Sequence, residues 1–393
     1  MNAFPTPSHS YTASVKTATQ SSIVSGSTSR RSSCSTSRRG VEHPHYRSTN
    51  LADHSITFRE YYEEIPESLR PLLDRVREDR GSPTPSLDVV ELAKLETDPH
   101  EDTVEEYFKK DVFPLKWGPT RRDSKLLMHR EDLPEKTNFQ SDLTLTQPKP
   151  DIVYGLSRNE AFPQHVSHLS LLGNYMIANT RDLLWPFFVI EMKADGPGKS
   201  GSLYTATNQC LNASSSCVNI REKLASQLKY SNSADVNMPD TAAFAIAMSG
   251  TEARLYICWK ERLEYRMQRV SAYLLQRPSD YEGFRKHVRN ILDWGSTERL
   301  QTILRGLDSL AQSCGDQKPR HLTFNFDGDQ ELICRLLGVF EDVPEFETAK
   351  IRGPEEHLQE VEELRETLLM RKKRKIGAGF LDEISMGSKI VRR

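Results

Sequence analysis

Long apolar runs are missing from this chain. The longest, residues 185–190 and 242–248, fall far short of the roughly 20 residues that a membrane-crossing helix needs, which excludes a helical span through them. No positively charged start leads into an apolar stretch, so a secretory signal is not expected and the chain reads as intracellular. Cysteine is sparse. The six residues, at 34, 210, 217, 258, 314 and 334, form no CxxC and no paired Cys/His spacing. That argues against a disulfide framework and leaves no local signature for structural zinc. Cys210 and Cys217, seven apart in a predicted helix, read as buried packing. An overall positive charge is also lacking: the formal net is -2, which gives no global attraction to phosphate.

The charge that is present is unevenly spread. Residues 1–50 hold six Lys/Arg against one acid, a net of +5, which leaves −7 for the remainder. Twenty of those fifty residues are Ser or Thr. Such a segment cannot bury enough apolar surface to offset its ordering entropy, so residues 1–52 are expected to be a disordered basic tail. Within it, Ser29-Arg30-Arg31-Ser32 and Ser37-Arg38-Arg39 place hydroxyls beside arginines, as a phosphorylation target, a weak nucleic-acid contact or a solvated linker would. Residues 313–393 read as a charged helical extension containing Arg371, Lys372, Lys373, Arg374 and Lys375. Five consecutive basic residues suit a nuclear import signal or a nucleic-acid contact. They suit equally well the solvated end of a helix, whose dipole favours cations there. Nucleus and cytoplasm both stay open.

Between these ends, residues 53–89 read as a helical lead-in and linker. Phe58, Tyr61, Tyr62 and Ile65, then Leu69, Leu72, Leu73 and Val76, predict short helices broken at Pro66, with a Pro/Ser/Gly linker at 81–86. A domain is expected over 90–312. It opens with helices over 87–95 and 101–113, the second with Val104, Tyr107, Phe108 and Val112 on one face. A strand is expected over 151–155, closed by Gly155, and another over 187–193. The helix predicted for 204–228 carries Ala206, Cys210, Ala213, Cys217, Ile220 and Leu224 on one stripe. Strands over 242–249, 253–260 and 265–270 follow, then helices to about residue 310. Trp185 and Trp259 read as core. His165 and His168 lie three apart on a candidate helical turn with no third ligand evident, and read as surface or packing histidines.

The chemistry lies in two strands with acids at their ends. Pro150-Asp151 opens one, and Glu191-Met192-Lys193 closes the other after a strongly apolar run. Side chains repeat every second residue in a strand, so Glu191 and Lys193 share a side. If the strands are neighbours, Asp151 and Glu191 converge beside the Lys193 ammonium. Two carboxylates offer hard oxygen ligands to Mg2+ or Mn2+, and a lysine there can orient water or neutralise developing charge. Taken alone, an acid-x-Lys tripeptide also occurs as ordinary surface charge, and Asp after Pro is a common turn residue.

The segments Pro150-Asp151-Ile152-Val153-Tyr154-Gly155, Pro186-Phe187-Phe188-Val189-Ile190-Glu191-Met192-Lys193 and Ala206-Thr207-Asn208-Gln209-Cys210 together resemble a family of fungal proteins with a PD-(D/E)xK nuclease-like domain. The strands around Phe244–Gly250 and Ala253–Trp259 add to the likeness, which covers roughly residues 90–310. It implies an α/β fold of the restriction-endonuclease type, with an αβββαβ core, helical additions and disordered termini. It also implies that Asp151 and Glu191 are the motif's acids and metal ligands, and Lys193 its lysine. Gln209 falls where related nucleases place a polar residue, or is an ordinary helix-surface amide. The core's first helix often supplies a further acid, with Glu105 or Glu106 as candidates. Forty positions separate Asp151 from Glu191, so an insertion is expected to fold out between the two strands.

Two functions are compatible with these readings. One is a Mg2+- or Mn2+-dependent nuclease, acting on DNA rather than RNA. The other is a catalytically inactive nuclease fold serving as a binding or regulatory module. The sequence names no oligomeric state.

Overall fold

A computed structural model of the chain describes residues 40–81, 88–97, 100–138, 141–194, 202–230 and 238–315. Residues 1–39 of the expected tail, the loop at 196–201 and the basic run at Arg371 to Lys375 lie outside the described residues. In chain order the elements are β1 (Ile56–Arg59), α1 (Arg70–Arg77), α2 (Val89–Thr97), α3 (Glu101–Asp111), β2 (Lys116–Trp117), β3 (Thr120–Asp123), β4 (Ile152–Ser157), α4 (Arg158–Ala161), α5 (Val166–Leu171), β5 (Leu183–Met192), α6 (Leu203–Tyr230), α7 (Met238–Thr241), β6 (Ala243–Met248), β7 (Glu252–Glu261), β8 (Glu264–Leu274), α8 (Pro278–Ser296) and α9 (Glu298–Gly315). The fold is mixed α/β. Its eight described strands form one sheet in the order β1-β8-β7-β6-β5-β4-β3-β2.

The centre of the sheet explains its own sequence. All ten residues of β5 and all six of β6 are buried, because helices cover both faces. Such strands read as continuous apolar runs rather than as alternation. Val153, Val189, Ala245 and Cys258 face a core shared with the α6 stripe. Ile152, Phe188, Ile190, Phe244 and Ile257 face a second core, shared with α1, α3 and α8. The β5–β6 pair is parallel, with α6 as its crossover, whereas β3–β4, β4–β5 and β6–β7 are antiparallel.

Four expectations need correction. Residues 40–52 are packed rather than part of a disordered tail: Tyr46 and Leu51 are fully buried, Asn208 Nδ2 donates to the Val41 carbonyl at 2.7 Å, and Asn50 Nδ2 donates to the Thr144 carbonyl at 2.8 Å. Apolar anchors from this short segment supply the burial that its composition seemed to deny. Phe58 belongs to an edge strand, not a helix, because β1 pairs in parallel with β8. No strand was expected at β2 or β3, which are too short to show a period but pair into the sheet beside β4. Finally, Gly155 does not close β4. Pairing jumps there from Tyr154 opposite Phe188 to Leu156 opposite Leu184, so residues 185–187 bulge against Gly155 alone. Trp185 takes a φ of 39° in that bulge, and a Cβ on Gly155 would sit 2.8 Å from the Leu184 carbonyl oxygen.

The stretch expected to fold out between the two motif strands is residues 158–182. It carries α4 and α5 and returns through a bridge between Ile177 and Leu184.

Candidate active site

Strand register brings the motif together. Ile152 pairs with Ile190 across the antiparallel β4–β5 ladder, so Asp151, one residue earlier, falls opposite Glu191. The Met192 N–H donates to Asp151 Oδ2 at 2.7 Å, which fixes that carboxylate over the end of β5. Lys193 continues the β5 edge: its N–H donates to the Met248 carbonyl at 2.9 Å, and its Nζ donates to the Met192 carbonyl at 2.6 Å. An ammonium has three donors, so this bond holds Lys193 in place without exhausting it. Asp151, Glu191 and Lys193 are all buried.

The helix brings a further acid to the site. Glu101, in the first turn of α3, brings its Oε2 to 3.6 Å from Lys193 Nζ. Glu105 lies one turn further on the same face and is buried, but Lys125 Nζ sits 2.8 Å from its Oε2 and Lys109 pairs with its other oxygen. Glu106 is exposed, because one residue turns the helix by about 100°. Glu101 is thus the α3 acid that reaches Lys193, while Glu105 acts on Asp151 by raising its carboxyl. Its spacing of four before Glu105 was the available signal, since residues i and i+4 share a helix face.

Gln209 is half-buried on α6, and no hydrogen bond among the described residues ties it to the acids. The α6 side chain beneath the site is Cys210, whose Sγ donates to the Ile246 carbonyl at 3.3 Å. Burial first, then the negative charge of Glu191, drives its thiol well above the usual range. Cys210 is packing, not a nucleophile.

The electrostatics of the acids are unbalanced. Burial raises the Glu191 carboxyl well above its ordinary value, Asp151 raises it further, and Lys193 only partly opposes them. Burial likewise raises Asp151 against the pull of Lys193 and the Met192 N–H. Glu101 is raised by burial as well, with Lys193 opposing and Asp151 adding. Most telling is Glu191 Oε2, which is buried and has no hydrogen-bond partner among the described residues. A carboxylate oxygen so placed is costly unless a cation or a proton meets it. Asp151 and Glu101 raise Glu191, Asp151 raises Glu101, and Glu105 raises Asp151; carboxylates so crowded around one lysine fit a hard divalent cation, which opposes each of those shifts.

A family model described as a domain of unknown function (DUF7924) matches residues 92–307, which is more than half of the chain and runs from α2 into α9. No curated protein matches the sequence. The chain belongs to the DUF7924 family.

Proposed function

From membership of a family whose description assigns no activity, the reading has to come from the site, and we propose that the chain is a PD-(D/E)xK-type nuclease. It would hydrolyse phosphodiester bonds with Mg2+ or Mn2+, in DNA rather than RNA. The observation that carries this is the buried Glu191 Oε2 at a strand end, beside Asp151 and Lys193 and without a hydrogen-bond partner among the described residues. The element order from α3 through β3, β4, β5 and α6 to β6 supports the same reading, since it follows the αβββαβ order of that core.

Asp151 and Glu191 would hold the metal, and Glu101, 3.6 Å from Lys193 Nζ, could supply a third oxygen donor. The bound ion would supply Lewis-acid stabilisation of phosphate charge and a more acidic water. The chain's own groups supply position. The Met192 N–H orients Asp151, and the Met192 carbonyl with Glu101 orients Lys193. Lys193 then presents a fixed positive charge where negative charge develops on the phosphate, without reorganisation during the reaction.

The test is cleavage of labelled single- and double-stranded DNA and RNA by the purified full chain with manganese. A Glu191→Ala/Lys193→Ala variant runs alongside to expose contaminating nuclease. Cleavage by wild type alone supports the proposal and ranks the substrates. Binding without cleavage, unchanged in the variant, would instead establish the inactive nuclease-fold module.

A further inference from the structure

We propose that His165, His168 and Asp308 form a second metal site, for zinc or another late first-row divalent ion, away from the carboxylate centre. His165 precedes the first turn of α5 and His168 lies within it. Their spacing of three puts both rings on one side of the helix, with centroids 5.4 Å apart. Asp308 arrives from α9, and its Oδ1 lies 2.9 Å from His165 Nε2. One ligand atom from each residue falls within 4.8 Å of the other two. Zinc bonds of about 2.0–2.2 Å place tetrahedral ligand atoms roughly 3.3–3.5 Å apart.

The His165–Asp308 pair by itself would be an ordinary surface ion pair. His168 makes it more than that. Its Nδ1 is buried and has no hydrogen-bond partner among the described residues, so this second imidazole is held against the pair with a polar atom unsatisfied. A metal bound through His168 Nδ1 removes that cost, and binding both rings fixes their tautomers. Two imidazoles and one carboxylate are also the donors that zinc and its neighbours prefer. The Asp151 centre, built from oxygens alone, prefers magnesium or manganese. The Asp308 side chain is 53% exposed, which leaves a route from solvent and a position for water.

The placement sets the role. α5 belongs to the stretch between β4 and β5, the strands that carry Asp151 and Glu191, and α9 is the last described helix. An ion held by His165, His168 and Asp308 pins that stretch to α9 across 140 residues of chain. It acts as a clamp on the fold and takes no part in hydrolysis. Sequence spacing could not reveal it, because the third ligand lies in a distant helix.

The test measures zinc affinity of the full chain by competition with a chromophoric chelator, in millimolar magnesium, for wild type, His168→Ala, Asp308→Asn and Asp151→Asn/Glu191→Gln. The expected result is a zinc equivalent that resists magnesium. It should be weakened more than about tenfold in His168→Ala and Asp308→Asn, and retained when the carboxylate centre is altered. Zinc should also raise the thermal midpoint of wild type and of Asp151→Asn/Glu191→Gln, but not of the two ligand variants. Unchanged zinc affinity in Asp308→Asn overturns the proposal, and this exposed substitution decides the matter if His168→Ala does not fold. Loss of zinc only in Asp151→Asn/Glu191→Gln overturns it too, by assigning the ion to the carboxylate centre.

Discussion

Asp151 and Met192 are joined across the β4–β5 ladder, with the Met192 N–H donating to Asp151 Oδ2 at 2.7 Å. One oxygen of the candidate metal ligand therefore also satisfies a buried backbone donor. Alanine and asparagine at this position separate the two roles. Asp151→Ala leaves the N–H unpaired and is expected to cost ~1–3 kcal/mol in urea unfolding. Asp151→Asn keeps an acceptor and is expected to stay within about 1 kcal/mol of wild type while losing manganese binding. Equal stability of the two variants would remove the structural role.

Glu191 makes the metal-free protein sensitive to alkali. Its carboxyl is raised in the fold above the ordinary 4.5. Between those two values the folded state holds a proton that the unfolded chain has lost, so stability falls as pH rises above about 4.5. In chelator, the thermal midpoint is expected to drop through this group as pH rises above about 4.5, and Glu191→Gln is expected to flatten the drop. Manganese should flatten it in wild type as well. A Glu191→Gln profile that overlays wild type in chelator would contradict the assignment.

On α3, Glu101 and Glu106 are predicted to behave oppositely. Glu101→Gln removes the acid facing Lys193 and is expected to lower cleavage by ~10²-fold, in keeping with positioned acid–base and ligand groups. Glu106→Gln changes an exposed side chain and should leave the rate unchanged. Rates measured at several manganese concentrations distinguish a lost ligand, which excess metal partly rescues, from a lost proton-transfer group, which it does not.

Gly155 should tolerate no side chain. A Cβ there meets the Leu184 carbonyl oxygen at 2.8 Å and Leu183 Cγ at 2.8 Å. The bulge backbone cannot give way as a flexible side chain would. Gly155→Ala is expected to cost ~1–3 kcal/mol, the usual range for overpacking, and to lower cleavage by shifting β4 beneath Asp151. Circular dichroism with urea titration checks the first effect, and the cleavage assay the second.

Legibility in the sequence followed the range of the forces involved. The apolar run through Ile190 and the Ala206-to-Leu224 stripe were readable because a central strand and a covered helix impose a local pattern on their own residues. Glu191 and Lys193 were readable for the same reason, since strand alternation alone puts them on one side. The exposure of Glu106 was not legible, because a helix's phase relative to a sheet is not written in the helix. Only the packing of Val104 and Phe108 into the second core turns Glu101 towards Lys193. The Gly155 bulge was hidden for a related reason: register is a property of two strands.

By itself the sequence determined the elements of the central sheet, the stripe of α6 and the two strand ends that carry acid and lysine, because local periodicity and burial specify them. Tertiary structure alone decided three other things. Strand order set Asp151 opposite Glu191, and the docking of α3 chose Glu101. The docking of α9 brought Asp308 to His165 and His168. Each is a long-range juxtaposition, settled by how apolar faces pack against one another and not by any neighbour along the chain.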